Sequence, residues 1–383
     1  MKKILQLLEQ AFRHGIVYPL FRLLFRNPPV DIPIDIRSVR KLLILRYDRI
    51  GDIIVTTPVF RALKKANPSL FIGVLASESN AELISHNPNV DRIYTVHSSW
   101  LALWKEIRDA RTERYDVVLN LIFNRTTSGG VLANMIAPRG IKIGQGAEKY
   151  RFYFNALLKL PRGDRHMVEI LAGIVKEVFH VRISSKNLRF ELPVEKEVTR
   201  NVERFVKGFA SDSKAVRKRG VNRRAPKRPL VVVNISATDE VRKISRKQAL
   251  EIVESVLKTG GYRVAVVSSP GDSDWRDAII DAVNSPLCRA YPAAGVAPLK
   301  EVAALIGAAR AVITPDTSIV HIASAMQTPV MGLFTPLQVT AEWLPYNVKH
   351  RTLFAQPGKP VSALPAAEIQ RHVALFLKGL KKG

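Results

Sequence analysis

Past residue 40 the chain alternates between short, almost continuous apolar runs and longer segments in which apolar residues return every three or four positions. The runs Lys41–Arg46, Phe71–Ala76, Arg92–Val96 and Asp116–Ile122 have the length and composition of buried strands. Between and after them the spacing predicts helices over 58–66, 79–86, 100–112, 126–136 and 166–178. A second series of the same kind begins near residue 230. It reads strand 230–235, helix 246–258, strand 262–268, helices 273–283 and 298–309, strand 311–314, helix 318–326 and strand 329–334. Strands alternating with helices imply parallel sheets covered on both faces. The pattern therefore predicts an α/β protein of two Rossmann-like domains, with a ligand cleft between them at the carboxyl ends of the strands.

The stretch 214–228, KAVRKRGVNRRAPKR, separates the two series and holds eight basic residues and no acid. With Gly220 and Pro226 it reads as an exposed linker. The expected organisation is a first domain over 41–212, a linker over 213–228, a second domain over 229–350, and a tail with a closing helix over 351–383. Residues 1–40 differ from both domains. Leu and Phe residues alternate there with Lys2, Lys3, Arg13, Arg22 and Arg26, and Pro19 should break or kink any helix. A basic amphipathic segment lying on an anionic leaflet and a helix packed on the first domain both fit this pattern.

Composition narrows the function classes. At 383 residues and 47% apolar content the chain can bury two cores. No apolar run approaches the roughly 20 residues needed to span a bilayer, and the start lacks a signal-peptide core and cleavage site. A single cysteine, Cys288, excludes an internal disulfide and a Cys-based zinc cluster, so a cytoplasmic location is expected. Lys and Arg number 59 against 33 acids, a net charge of +26 that calls for an anionic partner. Nucleic acid is not expected. No helix-turn-helix, RNP or zinc-finger pattern is present, and basic residues do not interleave with aromatics.

Four loops carry candidate chemistry. The first, RYDRIGDIIVTTP at 46–58, leaves a buried strand through Arg46, Asp48, Arg49, Gly51 and Asp52. Thr57-Pro58 reads as a helix start, with Thr57 as the cap, so Asp48–Thr56 is expected to be a loop at the strand's carboxyl end. Gly51 there would allow a tight turn or close approach of a ligand. Asp52 is either a general base for a hydroxyl acceptor or a structural partner of Arg46 or Arg49. The second loop, Ser236–Lys243, offers Thr238, Arg242 and Lys243 to a phosphate, and Ser245 with Gln248 forms a capping box behind it. The third, Ser268–Asp272, offers Asp272 to a ribose hydroxyl or an amine. Asp272-Ser-Asp274 also fits a short metal-binding pattern, but helix capping explains both acids and no metal is expected. The fourth, Ile313–Ala325, puts Asp316, Thr317 and Ser318 at a helix start suited to a pyrophosphate, with His321 one turn in. A histidine in that place is either a ligand contact or a buried structural residue. Neither the P-loop pattern nor the Rossmann glycine fingerprint is present.

Two of these stretches, ILRYDRIGDIIVTTPVFRALKKANP (44–68) and ITPDTSIVHIASAMQTPVMGLFTP (313–336), resemble the opening and closing motifs of the glycosyltransferase family 9 heptosyltransferases. NISATDEVRKIS (234–245) is similar to the family's intermediate donor loop, and the resemblance runs over roughly 41–345. It implies the GT-B architecture and metal-independent, inverting transfer of heptose from ADP-heptose to the lipopolysaccharide inner core. It makes Asp52 the base and sets Asp316, Thr317, Ser318 and His321 against the ADP, with Thr238 on a phosphate. Arg242 stands where the family has lysine, Ile244 where it has tryptophan, and Ser318 where it has glycine. No cofactor is implied beyond the ADP-sugar substrate. The implied partners are an anionic glycolipid acceptor and the inner leaflet of the cytoplasmic membrane, with the protein peripheral on its cytoplasmic face. The rivals are a non-catalytic polyanion- or membrane-binding protein on the same scaffold, and a GT-B enzyme using another nucleotide sugar.

Overall fold

A computed structural model describes residues 18–123, 126–160, 162–211, 228–337 and 339–381. They form two compact units, one of residues 1–162 and 168–188, the other of 163–167 and 189–383.

The first unit holds a six-stranded parallel sheet of β1 (Lys41–Arg46), β2 (Phe71–Ser77), β3 (Arg92–Val96), β4 (Val117–Asn120), β5 (Ile141–Gln145) and β6 (Ala156–Leu158), in the order 3-2-1-4-5-6. Its helices are α1 (Tyr18–Leu24), α2 (Ile50–Ala66), α3 (Glu78–Ile84), α4 (Trp100–Thr112), α5 (Thr126–Ile136) and α6 (Met167–Phe179), the last beginning one residue before the unit boundary. β1 is central, and Leu42, Leu43, Ile44 and Leu45 are fully buried, as a strand covered on both faces requires.

The second unit repeats the plan with β7 (Leu230–Asn234), β8 (Arg263–Val267), β9 (Cys288–Ala290), β10 (Ala311–Pro315), β11 (Val330–Phe334) and β12 (His350–Phe354), in the order 12-11-10-7-8-9. Its helices are α7 (Lys196–Ser211), α8 (Arg246–Lys258), α9 (Ser273–Val283), α10 (Leu299–Gly307), α11 (Ser318–Ala325) and α12 (Ala366–Lys381). The order reverses between β7 and β10, which places the carboxyl ends of these two strands at the switch point where α/β sheets bind ligands.

Three expectations change. The helix after β1 begins at Ile50, not at Thr57-Pro58, so Asp52 stands in the first helical turn and Pro58 lies inside the helix. Pro58 has no N–H for the Ile54 carbonyl, and the Thr57 hydroxyl donates to that carbonyl instead at 2.7 Å, which lets the helix continue through the proline. Gly51 is accordingly a helical residue rather than the pivot of a turn.

α7, expected in the first domain, belongs to the second unit. Phe205 packs on Tyr291 at 4.8 Å, the Val206 carbonyl accepts from Arg263, and Glu195 just before the helix pairs with Lys300 at 2.5 Å. Helical periodicity marks an apolar face but not the sheet that covers it. The basic stretch 214–228 that motivated the boundary falls, up to residue 227, outside the described residues.

Of residues 1–40, only 18–40 are described. Pro19 lies within α1 near its described start. Phe21 and Phe25 pack on Tyr153, and Tyr18 on Phe152, while Leu20, Leu23 and Leu24 face solvent. Among the described residues no helix is long and apolar enough to cross a membrane.

Candidate functional site

In the first unit the predicted residues converge on Arg46. Its side chain is wholly buried at the carboxyl end of β1. Nη2 donates to Asp52 Oδ1 at 2.9 Å and Nη1 to Asp48 Oδ2 at 3.1 Å. Nε donates to the Asp52 carbonyl and to Thr56 Oγ1, and Nη1 also reaches the Leu121 carbonyl. A buried guanidinium thus has its donors directed at two carboxylates and the backbone, the arrangement that makes a buried charge tolerable. Arg49 caps α2 with extended backbone and no side-chain cap bond.

Asp52 therefore has the ion-pair partner that the sequence left open. Oδ1 receives Arg46, and the Arg49 backbone N–H also hydrogen-bonds the carboxylate. Burial raises the Asp52 pKa above the usual carboxylate range, against the opposing pull of Arg46, Arg49 and Arg162. A buried carboxylate of raised basicity is suited to proton acceptance. Phe123 joins the surroundings, with the guanidinium groups of Arg46 and Arg162 at 5.7 and 4.6 Å from its ring centre. Asn80 donates to the Arg46 carbonyl at 3.0 Å. Sequence reasoning missed Phe123, Arg162 and Asn80 because they sit on other loops and match no local pattern.

If Asp52 is the base, transfer activity has an acid limb set by its protonation. Because the pKa is raised, kcat/KM should fall with decreasing pH from a point above the ordinary aspartate value of about 3.9. A pH–rate profile whose acid limb lies at or below that value would contradict this.

In the second unit the strand ends at the switch point are tied by Asn234, at the end of β7. Its side-chain amide donates to Thr314 Oγ1 at 2.9 Å, the Ser236 carbonyl at 3.1 Å and Thr317 Oγ1 at 3.3 Å. Thr317 is the N-cap of α11, accepting from the Ile319 N–H. Asp316 is buried beside it, and Arg242 reaches from the β7–α8 loop to within 3.3 Å of its Oδ2. Ser318 opens the helix. Arg242, Asp316, Thr317 and Ser318 are thus brought together.

The other predicted residues stand differently. Lys243 is paired with Glu240 at 2.5 Å. Thr238 is exposed on the same loop. Asp272 precedes α9 but makes no cap bond; it accepts from the Ser269 hydroxyl at 2.7 Å. The Ser245–Gln248 capping box forms as expected. His321 is buried with Trp343 at 5.8 Å and His166 at 6.4 Å between ring centres. Burial, then His166 and Arg242, depress its pKa to about 3, so the ring is neutral. Its Nδ1 has no hydrogen-bond partner within the described residues.

A cavity of about 830 Å³ also opens in the first unit, lined by Arg37, Pro58, Arg61, Lys65 and Arg182 among others. None of the predicted site residues lines it.

Two units, each a six-stranded parallel α/β sheet, give the architecture of the GT-B class. The chain belongs to glycosyltransferase family 9: residues 100–362 match the profile described as "Glycosyltransferase family 9 (heptosyltransferase)". The match covers the second unit's site and begins after the Asp52 loop. The chain is 23% identical over 356 residues to the lipopolysaccharide core heptosyltransferase OpsX of Haemophilus influenzae, covering 88% of this chain and 92% of that one. Among solved structures, the family 9 glycosyltransferase from Veillonella parvula superimposes with a TM-score of 0.72 at 18% identity, covering 91% of this chain and 100% of that one. Escherichia coli heptosyltransferase WaaC, solved with ADP, gives a TM-score of 0.61 at 16% identity, covering 90% and 100%. These two share the fold.

Proposed function

We propose that the protein transfers a heptose from ADP-heptose, with inversion, to an anionic lipopolysaccharide-type acceptor at the inner leaflet of the cytoplasmic membrane. The observation that carries this reading is the start of α11 in a family 9 chain, where Arg242 pairs with Asp316 beside the Thr317 cap. A helix start with a neighbouring guanidinium suits a diphosphate. ADP bound to WaaC, and the lipopolysaccharide core named for OpsX, support the donor and the acceptor respectively.

In this mechanism Asp52 takes the proton as the acceptor hydroxyl attacks the anomeric carbon from the face opposite the diphosphate. The carbon–oxygen bond to the leaving diphosphate breaks, and its added negative charge falls on Arg242, Lys243 and the α11 amides. With these cations in place no metal ion is called on. Neutral His321 adds no charge, and its unpaired Nδ1 is free to orient a donor group.

ADP should raise the melting temperature through mass action, more than UDP, GDP or CMP. Asp316→Ala removes the carboxylate that holds Arg242 and should weaken ADP binding about tenfold in calorimetry, the loss of one charge-assisted contact. Unchanged ADP affinity in Asp316→Ala would place the donor elsewhere. The departures at Ser318 and Ile244 favour one second reading, a different sugar on the donor. Transfer from an ADP-sugar other than ADP-heptose, with none from ADP-heptose, would establish it, and a thermal shift with UDP or GDP but none with ADP would overturn the ADP donor.

A further inference from the structure

The first unit exposes an unusual amount of large apolar surface at one edge. Trp100, Leu101 and Trp104, in the first turns of α4, are 63, 80 and 46% exposed. The two indoles stack on each other, with ring centres 6.1 Å apart, and among the described residues on no other aromatic ring. α4 starts just after the carboxyl end of β3 and packs on α5. At the start of α5, on the same sheet edge, Thr127 meets Tyr18 of α1 at 3.3 Å. α1 there shows Leu20, Leu23 and Leu24 at 51, 77 and 62% exposure. Isolated exposed leucines are ordinary, but two stacked, exposed indoles beside an exposed leucine at one helix tip are not.

The exposed charge along the outer face of α4 is basic, while Glu78 is paired with His97 just ahead of the helix. Along the outer face of α4 the apolar tip gives way to exposed Lys105, Arg108 and Arg111. Residues 18–30, which include α1, carry Arg22 and Arg26 and no acid. The two acids of α4 are partly buried, and Glu106 accepts from the Thr95 N–H.

From this placement we propose that the start of α4 docks on an anionic lipid bilayer, inserting Trp100, Leu101 and Trp104 at the headgroup level. Indoles favour that depth because the ring is apolar and its N–H stays wet. The basic collar one turn further on would meet anionic headgroups. A second copy of the chain is the weaker occupant. Self-association through this edge would set the Arg and Lys collars of two chains of net charge +26 against each other. The inference rests on the proposed membrane partner and assigns it to a defined face, independent of residues 1–17.

The test compares the full chain with the triple variant Trp100→Ser, Leu101→Ser, Trp104→Ser. All three side chains are exposed or nearly half-exposed, so the variant should melt as the parent does. Binding is read by co-sedimentation with vesicles of phosphatidylethanolamine and phosphatidylglycerol. The parent should bind them, its tryptophan emission should shift to the blue, and added salt should weaken the binding. The triple variant should bind at least about tenfold more weakly and lose the emission shift, given the apolar area withdrawn. Transfer to a soluble, deacylated acceptor should be unchanged in the variant, which separates docking from catalysis. Equal vesicle affinity of parent and variant would overturn the assignment of this face. Absence of vesicle binding by the parent, with transfer intact, would overturn the membrane partner while leaving the transferase reading standing. A concentration-dependent dimer of the parent that the triple variant abolishes, with vesicle binding unaffected, would give the face to a second copy.

Discussion

Asp52→Asn should abolish most transfer activity, with kcat reduced about 10²- to 10⁴-fold and the fold intact, because general-base loss costs that much. The amide is nearly isosteric and its oxygen can still accept from Arg46 Nη2, now 2.9 Å from Asp52 Oδ1. The amide cannot accept a proton, so the residual rate should lose the acid limb of the parent's pH profile. ADP affinity should stay the same, since the groups proposed to hold the donor belong to the second unit. Asp48→Asn should be milder. Asp48 shares Arg46 but is not in the first turn of α2, and its role is to hold the guanidinium from the other side. A transfer assay with ADP-heptose and a lipopolysaccharide-precursor acceptor, alongside ADP calorimetry, reads all of this. Turnover of Asp52→Asn within a few-fold of the parent would reduce Asp52 to a structural partner of Arg46.

Features set by neighbours in sequence were legible before the structure. The Ser245–Gln248 box and the helix start near Thr317 depend on residues within one helical turn, and both form. The principal strands were legible too, because covering on both faces demands unbroken apolar runs. β5, β6, β9 and β12 were not, since three to five residues of mixed polarity, such as Cys288–Ala290, carry too little periodicity. The start of α2 was misplaced because Thr57-Pro58 obeys the rule for a helix start, and only the Thr57 bond to the Ile54 carbonyl shows how the helix carries a proline inside. Asn234 escaped notice for another reason. Its partners Thr314 and Thr317 lie about eighty residues away, and only the adjacency of β7 and β10 makes it a tie between strand ends. The assignment of α7 to the second unit has the same origin. Which sheet an amphipathic helix covers is a property of the assembled core.

The largest stability loss should follow removal of Arg46. Its side chain is wholly buried and its donors are directed at Asp52, Asp48, Thr56 and the Leu121 carbonyl. Replacing it with methionine keeps the volume of the stem but leaves two carboxylates facing a buried site with no cation between them. Breaking a buried ion pair from one side typically costs about 3–5 kcal/mol, far more than the pair contributes over an apolar substitute, because the stranded charge is left desolvated. For units of this size that corresponds to a melting temperature lower by roughly 10 °C. Arg46→Lys should recover part of the loss, since an ammonium restores the charge but cannot fork between two carboxylates. The sign with pH follows from the same charges. Without the guanidinium the stranded carboxylates are easier to protonate, so the deficit of Arg46→Met should shrink as pH falls through the raised Asp52 pKa and be largest near neutrality. Denaturation of parent, Arg46→Met and Arg46→Lys at neutral and acid pH measures it. A deficit below about 1 kcal/mol at neutral pH, the range of an exposed pair, would mean that the Arg46 cluster is open to water and that burial is not what raises the pKa of Asp52.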